Sequence, residues 1–166
     1  MRDIARGADL TVASIYSHFA SKQQMLQDIM VRVLSDALAL TRGAVLRAGP
    51  RPDEQLSALM HAWLLFHTER RAEALVGASE IRSLDPHGRR LIVALRDEQE
   101  AMFRDVVMRG VEDGGFGTPY PADAVRALIA MGTAVPSWYR PDGELTPEQM
   151  AKRYVRLAAA TVESGR

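Results

Sequence analysis

One helical period runs almost unbroken through residues 22 to 47, "KQQMLQDIMVRVLSDALALTRGAVLR". Met25, Leu26, Ile29, Met30, Val33, Leu34, Ala37, Leu38 and Thr41 recur at spacings of three and four, which puts them on one stripe of an α-helix. A strand, with its period of two, would scatter the same residues over both faces. Ser21 is an N-cap for this long helix. A stripe of that length needs apolar partners, and the rest of the chain supplies them in the same period. A helix starting near Asp53 carries Leu56, Leu59, Met60, Trp63 and His67 on one face. "ERRAE" separates it from a shorter helix, Ala72 to about Ser83. Asp85 caps the next, with Pro86 at its first position, and this helix runs to about Asp113. Leu91, Leu95, Met102, Phe103, Val106 and Gly110 mark its inner face. "GGFGTPYP" breaks the pattern. A helix from Ala122 to Trp138 then buries Val125, Leu128, Ile129 and Val135, and Pro136 predicts a kink in it. After "YRPDGEL", Thr146 and Gln149 form a capping box around Pro147, and the last helix runs to about Val162. With no repeat, low-complexity tract or strand pattern, the expected fold class is all-α.

The 166 residues suggest one compact domain, or a small module with a larger one. The absence of cysteine excludes disulfides, thiolate metal sites and cysteine nucleophiles. Lys plus Arg and Asp plus Glu both number 21, so contact with nucleic acid must come from a local patch rather than a global field. No apolar run approaches membrane-spanning length and the N-terminus lacks a signal peptide's apolar region. A cytoplasmic protein without membrane contact is expected. Nothing points to an enzyme. His18, His61, His67 and His87 have no metal-ligand spacing, and six residues put His61 and His67 on different helix faces. The acidic run Asp97, Glu98 and Glu100 shows no sign of the burial or pairing that acid–base work needs. No cofactor is expected.

The functional signal lies in "TVASIYSHFASKQQML", Thr11 to Leu26. Thr11 caps a helix of about two turns, Val12 to Phe19, whose buried side is Ile15 and Phe19. Ala13, Ser14 and Ser17 then face outward, flanked by Val12, Tyr16 and His18. A small polar face of this kind suits a DNA major groove, with Tyr16 and His18 placed for phosphates on either wall. Lys22, in the first turn of the long helix, opposes the helix dipole. It therefore makes better sense as a phosphate contact, together with the backbone N–H groups of that turn, than as a stabilising residue. An ordinary helical hairpin with a half-buried tyrosine would show the same spacing.

"IARGADLTVASIYSHFASKQQML" resembles the second half of the helix-turn-helix of TetR-family transcriptional regulators. The match falls at Ile4, Ala5, Ala8, Thr11, Ile15, Tyr16, His18, Phe19, Ser21, Lys22 and Leu26. The resemblance implies base contacts from Val12, Ala13, Ser14 and Ser17, and phosphate contacts from Thr11, Tyr16, His18 and Lys22. Asp9 stands where the family usually has glycine, a residue that adopts positive φ more cheaply. The family design has a further helix before "RDIA", and here the chain begins at Met1. The resemblance thus implies a partial head over residues 1–26 and a ligand-binding and dimerisation domain over 27–166.

"SEIRSL", "ALRDE", "GVEDGGF" and "WYRPDGELTPEQMAKRY" are similar to the C-terminal domain of TetR-type regulators of fatty-acid and steroid catabolism. This implies a repressor that binds operator DNA as a homodimer and is released by an apolar small molecule, plausibly an acyl-CoA. The alternative is a sensor or dimerisation protein that no longer binds DNA. On the residues themselves, Ala124, Ala127, Ala130 and Gly132, with Ala151, Ala158 and Ala159, offer small faces for close helix pairing. Met60, Trp63, His67, Met102, Phe103 and Met131 are soft or aromatic residues that could wall a pocket or simply fill the core. Of Arg82, Arg96 and Arg140, the first two have acidic neighbours that make surface ion pairs the plainer reading. Arg140 is then the best candidate for a polar end of the ligand site.

Overall fold

The computed structural model describes residues 1–163. They form eight α-helices with no strand among the described residues: α1 (Arg2–Gly7), α2 (Val12–His18), α3 (Lys22–Arg47), α4 (Pro52–Glu69), α5 (Arg71–Ser79), α6 (Pro86–Glu112), α7 (Pro121–Trp138) and α8 (Pro147–Thr161). The all-α expectation holds. The stretch expected as one helix from Ala72 to Ser83 is instead α5 followed by a 3-10 turn, Glu80–Ser83. None of the described helices is long and apolar enough to cross a membrane.

The helix starts follow side-chain chemistry. Thr11, Ser21, Asp85 and Thr146 each accept the backbone N–H three residues on, from Ser14, Gln24, Gly88 and Gln149. Gln149 Oε1 accepts the N–H of Thr146 in return at 3.0 Å, completing the capping box. Each such cap satisfies a donor the helix leaves unpaired and contributes about 1 kcal/mol. Between α1 and α2 the chain turns at Asp9 with φ +55°, a left-handed conformation carried by a non-glycine residue.

α4 runs through the middle of the body, packed against α3, α6, α7 and α8. Its Leu59, Met60 and Leu64 are fully buried, as are Phe103, Val106 and Val107 of α6 and Leu128 and Val135 of α7. Two glycines permit close aromatic packing. A Cβ on Gly110 would meet the Phe116 ring at 2.1 Å, and one on Gly132 would meet Trp63 Cδ1 and Nε1 at 2.2 Å. α7 runs through Pro136 to Trp138, and the Pro136 carbonyl accepts from Arg71 Nε at 2.6 Å.

The head has its own small core of Ala5, Ile15 and Met25, with Met1, Val12 and Phe19 against it. In α1 it is Ala5 that is buried, while Ile4 and Ala8 are exposed. A second small cluster of Met30, Leu84 and Ile92 joins α3 to the start of α6. Gln23 Nε2 donates to the Ser83 carbonyl at 2.7 Å across the same junction. In α6 the buried line is Ile92, Gln99, Phe103, Val106, Val107 and Gly110, whereas Leu91 is exposed and Leu95 and Met102 half-buried. Ile29, expected on the inner stripe of α3, is also exposed.

Candidate functional site

Two regions hold the candidate functional residues, the outer face of α2 and a cavity in the body. In the head, Ile15 is buried and Phe19 half-buried, which turns the other side of α2 outward. Ala13, Tyr16, Ser17 and His18 are exposed, Val12 and Ser14 are half-buried, and Thr11 and Lys22 are exposed at the N-termini of α2 and α3. Tyr16 keeps 47% of its surface. The Thr11 hydroxyl oxygen accepts the Ser14 N–H at 3.0 Å, so its own proton is free for an outside acceptor. Ser17 Oγ donates to the Ser14 carbonyl at 2.7 Å and keeps its lone pairs outward. Of the eight residues expected to contact DNA, from the Thr11 cap over α2 to the first turn of α3, six are exposed and two, Val12 and Ser14, are half-buried.

The second region is a cavity of about 360 Å³, within the size range of small-molecule sites. Val33, Leu34 and Ala37 of α3 form one wall and Trp63, Phe66 and His67 of α4 another. Ala74, Gly77 and Ala78 of α5, Leu95, Arg96, Gln99 and Glu100 of α6, and Ile129 and Thr133 of α7 complete it. Its lining is mainly apolar. The His67 Nδ1–H donates to the Trp63 carbonyl at 2.7 Å, leaving Nε2 as an acceptor. Burial pushes the imidazole pKa down to about 4, so the ring is neutral at pH 7. The ring lies 4.2 Å from Trp63 and 5.4 Å from Phe66, centroid to centroid, both edge-on. Arg96 donates to the Gly77 carbonyl at 2.6 Å, closing the end of α5, and burial lowers its pKa from the ordinary value.

Of the seven residues expected to contact ligand, Trp63 and His67 stand on the cavity wall. Met60 and Phe103 do not reach it, because α4 and α6 turn them into the fully buried centre of the body. Met102 and Met131 are half-buried against that same core and lie off the cavity wall. Arg140 is exposed in the turn after α7, away from the cavity, with its carbonyl accepting from Gly143 N. Arg96, whose acidic neighbours made an ion pair the plainer reading, bonds the end of α5 instead. Gln99 was missed altogether. Its signal was a polar residue on the apolar line of α6, facing Thr41 on the corresponding line of α3. The small faces also divide: Ala124, Gly132, Ala151 and Ala158 are buried inside the chain's own core, while Ala127 and Ala130 are exposed and Ala159 half-buried.

A short helix-turn-helix head set on a helical body that encloses a small-molecule cavity defines a ligand-sensing regulator in architecture. Residues 1–29 match the family of bacterial regulatory proteins of the tetR type, and residues 49–162 match the tetracyclin repressor-like C-terminal domain. The chain belongs to the TetR family of transcriptional regulators and is not an enzyme. It is 31% identical over 159 residues to the HTH-type transcriptional repressor KstR2 of Mycolicibacterium smegmatis, covering 95% of this chain and 77% of that protein. Its fold matches a tetR-family regulatory protein from Rhodococcus RHA1 with a TM-score of 0.89 at 27% identity, over 99% of this chain and 86% of that one. It also matches AibR, solved in complex with isovaleryl coenzyme A and operator DNA. There the TM-score is 0.86 over 99% of this chain and 87% of that one, and at 22% identity the likeness is one of fold.

Proposed function

We propose that this regulator is a cytoplasmic repressor that binds operator DNA as a homodimer and is released by an acyl-CoA or related thioester. Residues 1–26 are the reading head, and residues 27–166 are the ligand-binding and dimerisation body. The observation that carries this reading is that one cavity has both α3 and α7 in its walls. α3 begins at Lys22 in the DNA-facing surface, and α7 presents Ala127, Ala130 and Ala134 on its exposed side. Trp138 and Leu157, each 49% exposed, add apolar area at the ends of α7 and α8. An exposed face of this kind suits pairing with the same helices of a second copy. The KstR2 relative is named a repressor, and a protein of this fold accommodates an acyl-CoA together with operator DNA.

The test is selection of duplexes by the full-length protein from a random pool, followed by sedimentation and titration with acyl-CoA thioesters. A near-palindromic site bound by two protomers and released by a thioester is expected. A monomer with no sequence preference would overturn the regulator-dimer reading. A dimer that selects DNA and ignores every thioester would remove the ligand class alone.

A further inference from the structure

Gln99 is a polar side chain on the wall of an apolar cavity, and only 7% of it is exposed. One edge of its amide is held: Thr41 Oγ1 lies 3.0 Å from Gln99 Oε1. The other edge, at Nε2, is buried with no hydrogen-bond partner among the described residues. Leaving an amide edge unpaired in a dry interior is costly, so such an edge is rare in a folded chain and calls for a partner from outside it. His67 stands on the same cavity wall. Its Nδ1–H is committed to the Trp63 carbonyl, and no hydrogen bond is made by its Nε2 among the described residues. Burial keeps that nitrogen unprotonated near neutral pH, so it accepts and does not donate.

The open edge of Gln99 is buried beyond the reach of surface solvation, and a plain hydrocarbon could satisfy neither it nor His67 Nε2. From this we infer that the cavity is built for an acyl group bearing an oxygen substituent, with Gln99 and His67 as the residues that distinguish it from a bare alkyl group. This rests on the reading of the cavity as the ligand site. A keto oxygen accepts from Gln99 Nε2. A hydroxyl can accept from Gln99 and donate to His67 Nε2. Thr41 both donates and accepts, so it tolerates either setting of the amide. A hydroxyl meets the open edge in both settings, a keto oxygen only with nitrogen at that edge. A site that hydrogen-bonds an oxygen rejects the analogue lacking it more strongly than an apolar pocket rejects a missing methylene, because the pocket's polar groups are then stranded.

The experiment is calorimetric titration of the full chain with cyclohexanecarboxyl-CoA and its ring-oxo and ring-hydroxy counterparts, using wild type and Gln99→Met. Wild type is expected to bind an oxygenated member at least about tenfold more tightly than the plain one, the scale of one satisfied buried hydrogen bond. In Gln99→Met that preference falls to about twofold or less. Equal wild-type affinity for plain and oxygenated members would overturn this inference and leave the thioester reading standing. Failure of wild type to bind any of the three would overturn both. A preference that survives in Gln99→Met would remove Gln99 from the role. A second readout needs no ligand: Gln99→Met is expected to raise Tm, since no unpaired amide remains. A fall in Tm would show that the amide was already satisfied, and would count against the assignment.

Discussion

Gly132→Ala tests whether Trp63 is held by the backbone of α7. Replacing glycine by alanine inside a helix gains about 1 kcal/mol in propensity. Here the added Cβ would lie 2.2 Å from two atoms of the indole. Ordinary contact between carbon atoms is about 3.5 Å or more, so the ring must retreat by over 1 Å. Overpacking of this kind costs about 1–3 kcal/mol, and the indole is boxed in by Phe103 at 5.9 Å and His67 at 4.2 Å between centroids. Trp63 also lines the cavity, which offers the ring a direction to move. A net loss of up to about 2 kcal/mol follows, read as a Tm lower by up to roughly 8 °C for a chain of this size. Removing the indole removes the conflict. In a Trp63→Leu background Gly132→Ala is expected to be neutral or stabilising, with a coupling of about 1–3 kcal/mol in a double-mutant cycle. Additivity of the two changes to within about 0.5 kcal/mol would refute the packing argument.

Other perturbations probe the head, the seam and the buried histidine. Asp9→Gly is expected to stabilise the protein by up to about 1 kcal/mol in thermal unfolding, since Asp9 holds φ +55° at the turn before α2. Lys22→Ala is expected to weaken all duplexes alike and to lower the salt slope of binding by about one unit, whereas Ser17→Ala changes preference at one or two base pairs. Ala130→Arg, on the exposed side of α7, is expected to yield monomer in sedimentation without loss of fold. His67 has its pKa lowered to about 4 in the folded chain, so below about pH 6.5 the unfolded chain binds the extra proton and the folded one does not. Stability is therefore full above pH 6.5 and falls towards pH 4, by about 3 kcal/mol in total. His67→Gln is expected to flatten that part of the pH profile.

The helices were legible because their signals are local. Thr11, Ser21, Asp85 and Thr146 sit one residue before their helices, and the structure finds each of them accepting the expected N–H. The outward residues of α2 followed from a single period fixed by Ile15. The cavity was less legible because it depends on which way each helix is rotated against several neighbours. Of the inner face expected for α6, Phe103, Val106 and Gly110 are buried, but packing against α3, α4 and α7 chooses Ile92 and Gln99 over Leu91, Leu95 and Met102. That rotation of α6 sends Phe103 to the core and Gln99 to the cavity, and the rotation of α4 sends Met60 to the core. The small residues of α7 and α8 mislead for a related reason. Gly132 is small to admit Trp63 of its own chain, not a helix of another.

The geometry also says why a modest ligand could act on DNA from a distance. Fifteen residues of α3 separate Ala37, on the cavity wall, from Lys22, in the proposed DNA contact. At 1.5 Å per residue this is a lever of about 22 Å. A tilt of about 5° about Ala37 displaces its tip by about 2 Å, and both heads of a dimer would move. Half-sites on a duplex lie about 34 Å apart in fixed register, so shifts of that size spoil simultaneous docking. α3 is also tied to α6 near both ends of this lever, by Gln23 to Ser83 just before α6 and by Thr41 to Gln99 within it. A ligand that engages the open edge of Gln99 therefore acts on a residue bonded directly to the lever. It needs only to favour the tilted arrangement by about 1–3 kcal/mol, because coupling between the sites equals the difference in its affinity for the two states.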